Sequence, residues 1–269
     1  MPVTDGLDPA AATALLAENV REAGRLALSM FRTTVKQWNK AGASPVSEAD
    51  IVVDRLLRDR LTAAYPGVAW LSEESADDPS RLTAPYVWIV DPIDGTRAFL
   101  AGLPDWAVSA ALVENGHPIA ACLFAPARDE FFQASANHGA TCNGTPIAVT
   151  RGASLARARI AGPKSFMHRL TSIAPDLVVM PRVPSLALRL ARVAQGTVDI
   201  AIAGADSHDW DLAAADLLVH EAGGALTRVG GGTVLYNRPE PRHGFLVAAG
   251  RDRLALLNEH LGDERLASC

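Results

Sequence analysis

The chain has 269 residues, of which 49% are hydrophobic and 20% charged, a balance typical of a globular protein with a sizeable core. Its length excludes a small disulfide scaffold and corresponds to about two domains of ~150 residues or one large α/β domain. The formal charge of -5 and the lack of a basic run argue against nucleic acid as the main ligand. A small anionic substrate would meet net repulsion, which indicates a bound metal.

Cysteine usage and the N-terminal sequence indicate the compartment. Cys122, Cys142 and Cys269 have no Cys-x-x-Cys spacing and predict free thiols in a reducing environment. The N-terminus carries acids where an export signal carries basic residues, and the longest uncharged stretch, residues 131–150, is broken by Gly, Asn and Pro. We therefore expect a cytoplasmic protein without a membrane span.

Two helices are predicted at the start of the chain. Asp8 and Pro9 supply a cap and a first-turn proline for a long amphipathic helix through Phe31. Ser47 is the expected N-cap of a second helix, which ends near Tyr65.

A largely antiparallel sheet is predicted to follow these helices. The Asn115-Gly116 pair predicts a two-residue hairpin turn between two long apolar runs. Strands are predicted at residues 68–71, 86–90, 107–114, 118–125, 131–134 and 147–149.

The second half alternates strands and helices, so the whole chain predicts an α/β (α+β) fold with halves at 1–150 and 151–269. Strands are predicted at residues 158–161, 177–180, 197–202 and 245–249, and helices at 185–195, 211–222 and 252–261.

Three short segments place acidic residues beside apolar strands: Leu71 to Glu74, Trp88 to Thr96, and Asp209 to Asp211. In the middle segment Pro92 fixes one φ angle and is expected to stop the strand, so that two carboxylates and one carbonyl converge. Hard oxygen ligands of this kind suit Mg²⁺. The Gly-Thr pair that follows would turn backbone amides at a helix start toward an anion such as phosphate.

Each of these features also has an ordinary explanation when taken alone. Asp94-Gly95 is typical of a turn, Glu73-Glu74 of a solvated loop, and Asp211 of a helix N-terminus. Ser47 and Asp50 match a capping box, which would account for Asp50 without any chemistry.

Together the segments resemble a known family. Residues 88–96 (Trp-Ile-Val-Asp-Pro-Ile-Asp-Gly-Thr) and 210–224 (Trp-Asp-Leu-Ala-Ala-Ala-Asp-Leu-Leu-Val-His-Glu-Ala-Gly-Gly) are similar to the two signatures of the inositol monophosphatase family. Residues 71–74 and 44–50 extend the resemblance, in order, over most of the chain. It implies the layered αβαβα sandwich of the inositol monophosphatase and fructose-1,6-bisphosphatase superfamily, and a Mg²⁺-dependent, Li⁺-sensitive phosphatase.

The resemblance also implies the metal ligands. Glu73, Asp91 and the carbonyl of Ile93 match the ligands of a first Mg²⁺, and Asp91, Asp94 and Asp211 match those of a second. Asp91 would bridge the two ions, and Glu73 would also hold a third, water-rich ion. Paired ions roughly 3.5 to 4 Å apart clamp the attacking and leaving oxygens of an in-line phosphoryl displacement, so no covalent protein nucleophile is needed.

Other residues are implied to act on water and phosphate. Asp50 and Thr96 match the pair that orients and deprotonates the attacking water. Glu74 would hold the metal ligands in position without binding an ion itself. Gly95 and Thr96 would bind the phosphate through their amides.

Ser185, Asp206 and His208 are the candidate substrate contacts of the second half. The glutamate that holds a ring hydroxyl in inositol-selective members is missing from residues 202–208, and Asp206 is the nearest substitute. Residues 44–50 and 95–99 look more like the bacterial branch that hydrolyses 3'(2'),5'-bisphosphate nucleotides, or the histidinol-phosphate branch. Arg97 either contacts a phosphate or is a solvated helix residue.

The expected substrate is therefore a small phosphorylated metabolite, either a bisphosphate nucleotide or an inositol monophosphate. Histidinol phosphate is one alternative, and a catalytically idle regulatory or binding member of the family is another. The idle alternative is disfavoured because every carboxylate needed for catalysis is present. A calcium module is also disfavoured because the EF-hand spacing is missing. We expect no nucleic acid polymer and no membrane as partners, and leave a homodimer open.

Overall fold

The computed structural model describes residues 6–40 and 45–261. Residue 44 of the range 44–50 and Cys269 lie outside this part of the chain, while Cys122 and Cys142 are free thiols. None of the described helices is long and apolar enough to cross a membrane.

The helices within the described residues are α1 (Pro9–Met30), α2 (Glu48–Ala64), α3 (Thr96–Leu100), α4 (Lys164–Ile173), α5 (Leu186–Ala194), α6 (Asp209–Glu221) and α7 (Arg251–Leu261). The side chain of Asp8 accepts hydrogen bonds from the amides of Ala10 and Ala11, so α1 begins at the predicted cap. Ser47 caps α2, also as predicted.

The first half contains a two-stranded pair and a seven-stranded sheet, with β3 and β4 parallel and the other neighbours antiparallel. The pair is β1 (Gln37–Asn39) with β2 (Pro45–Ser47). The larger sheet runs in chain order through β3 (Ala69–Ser72), β4 (Tyr86–Asp94), β5 (Ala107–Glu114), β6 (His117–Ala125), β7 (Glu130–Ser135), β8 (Ala140–Cys142) and β9 (Thr145–Pro146).

The second half contains a mixed five-stranded sheet in the order β11-β10-β12-β16-β14 and the antiparallel pair β13 with β15. Their bounds are β10 (Arg159–Ala161), β11 (Val178–Val179), β12 (Ile200–Ala203), β13 (Ser207–His208), β14 (Gly224–Arg228), β15 (Arg242–His243) and β16 (Leu246–Gly250).

These elements form five layers. Helices α1 and α2 cover one face of the larger sheet, where Leu16 and Leu57 share a buried cluster with Trp88. Helices α5 and α6 fill the space between the two sheets and contact both. Helices α4 and α7 cover the outer face of the smaller sheet. The predicted αβαβα sandwich is thereby confirmed, while the division at residue 150 stays a prediction.

Two strand predictions were wrong. Residues 147–149 form no strand, and the amide of Val149 instead bonds the carbonyl of Ala222 at the end of α6. The strand expected to stop before Pro92 continues to Asp94, because a register shift between Asp91 and Asp94 relieves the ladder where Pro92 has no amide to donate. Helix α4 and strand β14 were not predicted.

Candidate active site

Three acidic side chains converge where the larger sheet meets the central helices. Among the described residues, Asp91, Asp94 and Asp211 each bring one carboxylate oxygen within 4.8 Å of the others. Asp91 and Asp94 flank the irregular end of β4, and Asp211 lies in the first turn of α6. These are the acids predicted to hold the second metal ion.

The three carboxylates destabilise one another's charged forms. Burial, followed by the charge of neighbouring acids, raises the pKa of Asp91 and Asp211 well above the usual range. Burial also raises the pKa of Asp94 to about 6. A divalent cation would relieve this repulsion, and an all-oxygen donor set of this kind fits a hard ion such as Mg²⁺.

The start of α5 holds Asp94 in place. Its carboxylate accepts hydrogen bonds from the hydroxyl of Ser185 (2.5 Å) and from the amides of Leu186 (3.1 Å) and Ala187 (2.6 Å). Ser185, expected at the substrate, is fully buried in this structure and its hydroxyl also accepts the amide of Leu188. Its observed contacts orient Asp94 and cap α5, and a contact with substrate stays a prediction.

Backbone amides orient the other two acids. The amide of Ile93 donates to Oδ1 of Asp91 (3.0 Å), and the amide of His208 donates to Oδ2 of Asp211 (2.6 Å). Each carboxylate therefore has a fixed direction before any ion binds.

The predicted water-activating pair is in contact. The hydroxyl of Thr96 lies 3.1 Å from Oδ1 of Asp50 and 3.1 Å from the carbonyl of Ile93, and its single hydrogen can serve one acceptor at a time. Oδ2 of Asp50 accepts the amide (2.8 Å) and hydroxyl (2.6 Å) of Ser47. Burial raises the pKa of Asp50 despite these donors.

Gly95 allows the turn between these acids and α3. Its φ of +94° is in the left-handed region, and a Cβ there would lie 3.0 Å from the carbonyl oxygen of Asp105. Only glycine fits without strain, and α3 begins at once with Thr96.

The Glu73-Glu74 segment is paired with a lysine that the sequence did not single out. Nζ of Lys40 donates to Oε1 of Glu73 (3.2 Å) and to Oε1 of Glu74. Glu73 lies outside the cluster of three acids in this arrangement. Glu74 is buried, and this raises its pKa to about 7 although Lys40 opposes the shift.

Asp54 holds this segment from α2 and was also missed. It lies one turn after Asp50 and is buried, and its two oxygens accept the hydroxyls of Ser72 (2.5 Å) and Ser75 (2.7 Å). An acid on the buried face of an amphipathic helix, four residues from a candidate base, was the available signal.

The expected substrate contacts of the second half differ in exposure. Asp206 is 89% exposed, and its Oδ1 lies 3.7 Å from Nη1 of Arg242. The His208 ring stacks on Trp210 with centroids 4.7 Å apart, and its Nδ1 lies 3.8 Å from Oδ2 of Asp211. Arg97 is exposed.

The start of α6 is fixed by a buried pair that sequence reasoning did not identify. Oδ1 of Asp209 lies 2.7 Å from Nε2 of His243, and its Oδ2 accepts the amide of Asn237. Asp211 lies two residues after Asp209 on the same helix.

Comparisons with known proteins identify the class. The model of the inositol monophosphatase family matches residues 8–265. An inositol-1-monophosphatase of Rhizobium meliloti is 35% identical over 202 residues, covering 72% of this chain and 75% of that protein. A histidinol-phosphatase of Mycobacterium tuberculosis is 35% identical over 204 residues, covering 71% and 77%.

A solved structure supports the same conclusion. The extragenic suppressor protein SuhB of Bartonella henselae superimposes with a TM-score of 0.83 at 28% identity, covering 94% of this chain and 99% of that chain. The chain belongs to the inositol monophosphatase family. It is a phosphoric monoester hydrolase.

The raised pKa values predict how stability depends on pH without divalent metal. A carboxyl whose folded pKa is raised stabilises the fold below its unfolded value of about 3.9 and loses that contribution as pH rises through the folded value. For Asp94 this loss runs from the unfolded value up to the folded value of about 6 and is complete above it. We expect the Tm in EDTA to fall between about pH 4 and 7, and Mg²⁺ to restore it at pH 7.

Asp211→Asn is the matched variant for this measurement, because its amide oxygen still accepts the His208 amide. We expect it to fall less in Tm between these pH values and to gain less from Mg²⁺. If calorimetry showed that Mg²⁺ raises the Tm of both proteins equally, the stabilising ion would bind at a site other than this cluster of acids.

Asp54→Asn is predicted to weaken metal binding through the loop that it holds. An amide accepts only one of the two serine hydroxyls, so Glu73 loses its fixed position. We expect the Mg²⁺ concentration for half-maximal phosphate release to rise about 10- to 100-fold, with a smaller loss of kcat at saturating Mg²⁺. Asp59→Asn, on the exposed face of α2, is the control. An unchanged Mg²⁺ requirement with a lowered Tm would restrict Asp54 to folding.

Proposed function

We propose that the chain hydrolyses a small phosphate monoester and uses two or three Mg²⁺ ions. Glu73, Asp91, the carbonyl of Ile93, Asp94 and Asp211 would hold these ions. The observation that carries the proposal is the convergence of Asp91, Asp94 and Asp211 within 4.8 Å. Asp91 and Asp94 are buried, Asp211 is partly buried, and the three charges repel one another. When bound, the ions would neutralise the phosphoryl charge and lower the pKa of the attacking water.

The chain's own residues would orient the reactants and take up a proton. Asp50 is the general base of the proposal, and it acts through the hydroxyl of Thr96, which lies 3.1 Å from its Oδ1. Its raised pKa, caused by burial, brings a carboxylate closer to the pKa useful for proton transfer near neutral pH. The amides of Gly95 and Thr96, at the start of α3, are proposed to bind the phosphate oxygens. Glu74 supports Glu73.

The candidate substrates remain those expected from the sequence: a 3'(2'),5'-bisphosphate nucleotide or an inositol monophosphate, with histidinol phosphate as the alternative. The two enzymes compared above are named for different substrates at equal identity, so their names favour neither. We also propose a cytoplasmic location. The alternative of a catalytically idle regulatory protein is disfavoured because the set of acids is intact.

Phosphate release over a panel of these esters, with Mg²⁺ or EDTA, tests the proposal. We expect turnover of at least one ester that EDTA abolishes and Mg²⁺ restores, and inhibition by millimolar Li⁺. Turnover that survives EDTA and extensive dialysis would contradict the metal assignment.

Asp50→Asn separates catalysis from helix capping. The variant keeps a side chain that can accept the Ser47 amide but cannot take up a proton, so we expect kcat at saturating Mg²⁺ to fall by about 10² to 10⁴. Ser47→Ala is the matched control because it removes one capping hydrogen bond and leaves the Asp50 charge. It should cost about 1 kcal/mol of stability and little turnover. If both variants kept kcat and lost similar stability, Asp50 would be a cap only.

A further inference from the structure

Only the side chain of His208 separates Arg242 from Asp211, one of the acids of the proposed metal site. In the antiparallel pair β13 with β15, His208 is directly opposite Arg242. Directly opposed residues project from the same face of the pair, with Cβ atoms about 4.5 to 5.5 Å apart. Nδ1 of His208 is 3.8 Å from Oδ2 of Asp211. Arg242 therefore lies at the edge of the candidate site that the second half of the chain forms.

The electrostatic surroundings of His208 agree with this placement. Burial and the charge of Arg242 lower the pKa of His208, while Glu73 raises it. In the structure the imidazole lies 3.8 Å from Asp211 on one side and has Arg242 as its cross-strand neighbour. Its stacking on Trp210 restricts its orientation.

The Arg242 guanidinium is weakly engaged. Within the described part of the chain its side chain has one charged partner, Asp206, at 3.7 Å, which is beyond hydrogen-bonding distance. The side chain of Arg242 is 52% exposed and that of Asp206 is 89% exposed. Ion pairs between side chains this exposed contribute little to stability. The guanidinium fork is therefore available to a ligand.

A surface cavity of about 380 Å³ lies beside it, lined in part by Arg238, Arg242, Glu240 and His243. The side chains of Arg238, Arg242 and Glu240 line it, Asp206 lies beside Arg242, and His243 is already paired with Asp209. Nη2 of Arg238 donates to the carbonyl of Arg242, and Nε of Arg238 is buried with no hydrogen-bond partner among the described residues.

We propose that Arg242, at the edge of this cavity, binds a second anionic group of the substrate. The preferred substrate is then a phosphate monoester that also carries a phosphate or a carboxylate. A guanidinium binds either group through paired hydrogen bonds, gains less from a neutral polyol, and repels an ammonium group. The inference rests on the proposed hydrolase function and specifies its substrate class.

Two matched pairs of esters test this inference. Adenosine 3',5'-bisphosphate is compared with adenosine 3'-phosphate, and 2-phosphoglycerate with glycerol 2-phosphate, so that the pairs separate a second phosphate from a carboxylate. We expect the wild type to show a kcat/KM ratio of about tenfold or more in favour of the doubly anionic member of at least one pair. Arg242→Ala should remove most of that ratio, and Arg242→Lys should keep part of it.

Arg60→Ala is the matched control, because Arg60 is comparably exposed and pairs with Glu22 between α1 and α2. It should leave the ratio unchanged. A wild-type ratio near one in both pairs, or a ratio that Arg242→Ala does not reduce, would overturn the inference while Mg²⁺-dependent turnover leaves the hydrolase function intact. Turnover of inositol monophosphate or histidinol phosphate but of none of the four esters would also overturn the inference, whereas turnover of no ester in either set would contradict the proposed function as well.

Discussion

The repulsion between buried carboxylates is the constraint around which the centre of this protein is arranged. Asp91, Asp94 and Asp211 each lose hydration and face the others, and such a cluster is unfavourable unless donors or cations compensate. Helix starts supply part of this compensation, because their free amides and partial positive charge favour an anion. Asp94 accepts three donors at the start of α5, yet burial still raises its pKa to about 6. The remaining charge is what a divalent cation would neutralise.

The layered fold brings these acids together from distant parts of the chain. Helices α5 and α6 contact both sheets, so one layer positions the donors for Asp94 and also carries Asp211. Helix α2 makes the corresponding link on the other side, since Asp50 contacts Thr96 and Asp54 holds the segment of Glu73. A shift of α6 would move Asp211 relative to the sheet, and a shift of α2 would move Asp50 and the segment of Glu73.

Local sequence signals predicted the features that depend on neighbouring residues. The caps of α1 and α2 and the Asn115-Gly116 turn were predicted correctly, and the positive φ angles of that turn, 48° and 84°, are those expected for this residue pair. The continuation of β4 past Pro92 was not predictable locally, because it requires the register shift against β5.

The site shows the same division between local and long-range information. The triad of acids was predicted from a resemblance in sequence. Lys40 and Asp54 were missed because their hydrogen-bond partners are more than fifteen residues away along the chain. Ser185 illustrates why a residue type does not define its role. A serine at a helix start can bind substrate or cap the helix, and only its burial and its bond to Asp94 distinguish these uses.

Helix capping and the proposed role as general base do not exclude each other for Asp50. A carboxylate has two oxygens with about four acceptor sites, so one oxygen can fix the helix while the other remains available to a second partner. Oδ2 of Asp50 takes the Ser47 donors and Oδ1 takes Thr96, and at α6 the amide of His208 occupies Oδ2 of Asp211. The helix start thereby sets the direction of the other oxygen. A capping-box pattern that looks sufficient by itself in the sequence is, in this fold, the means by which the carboxylate is aimed.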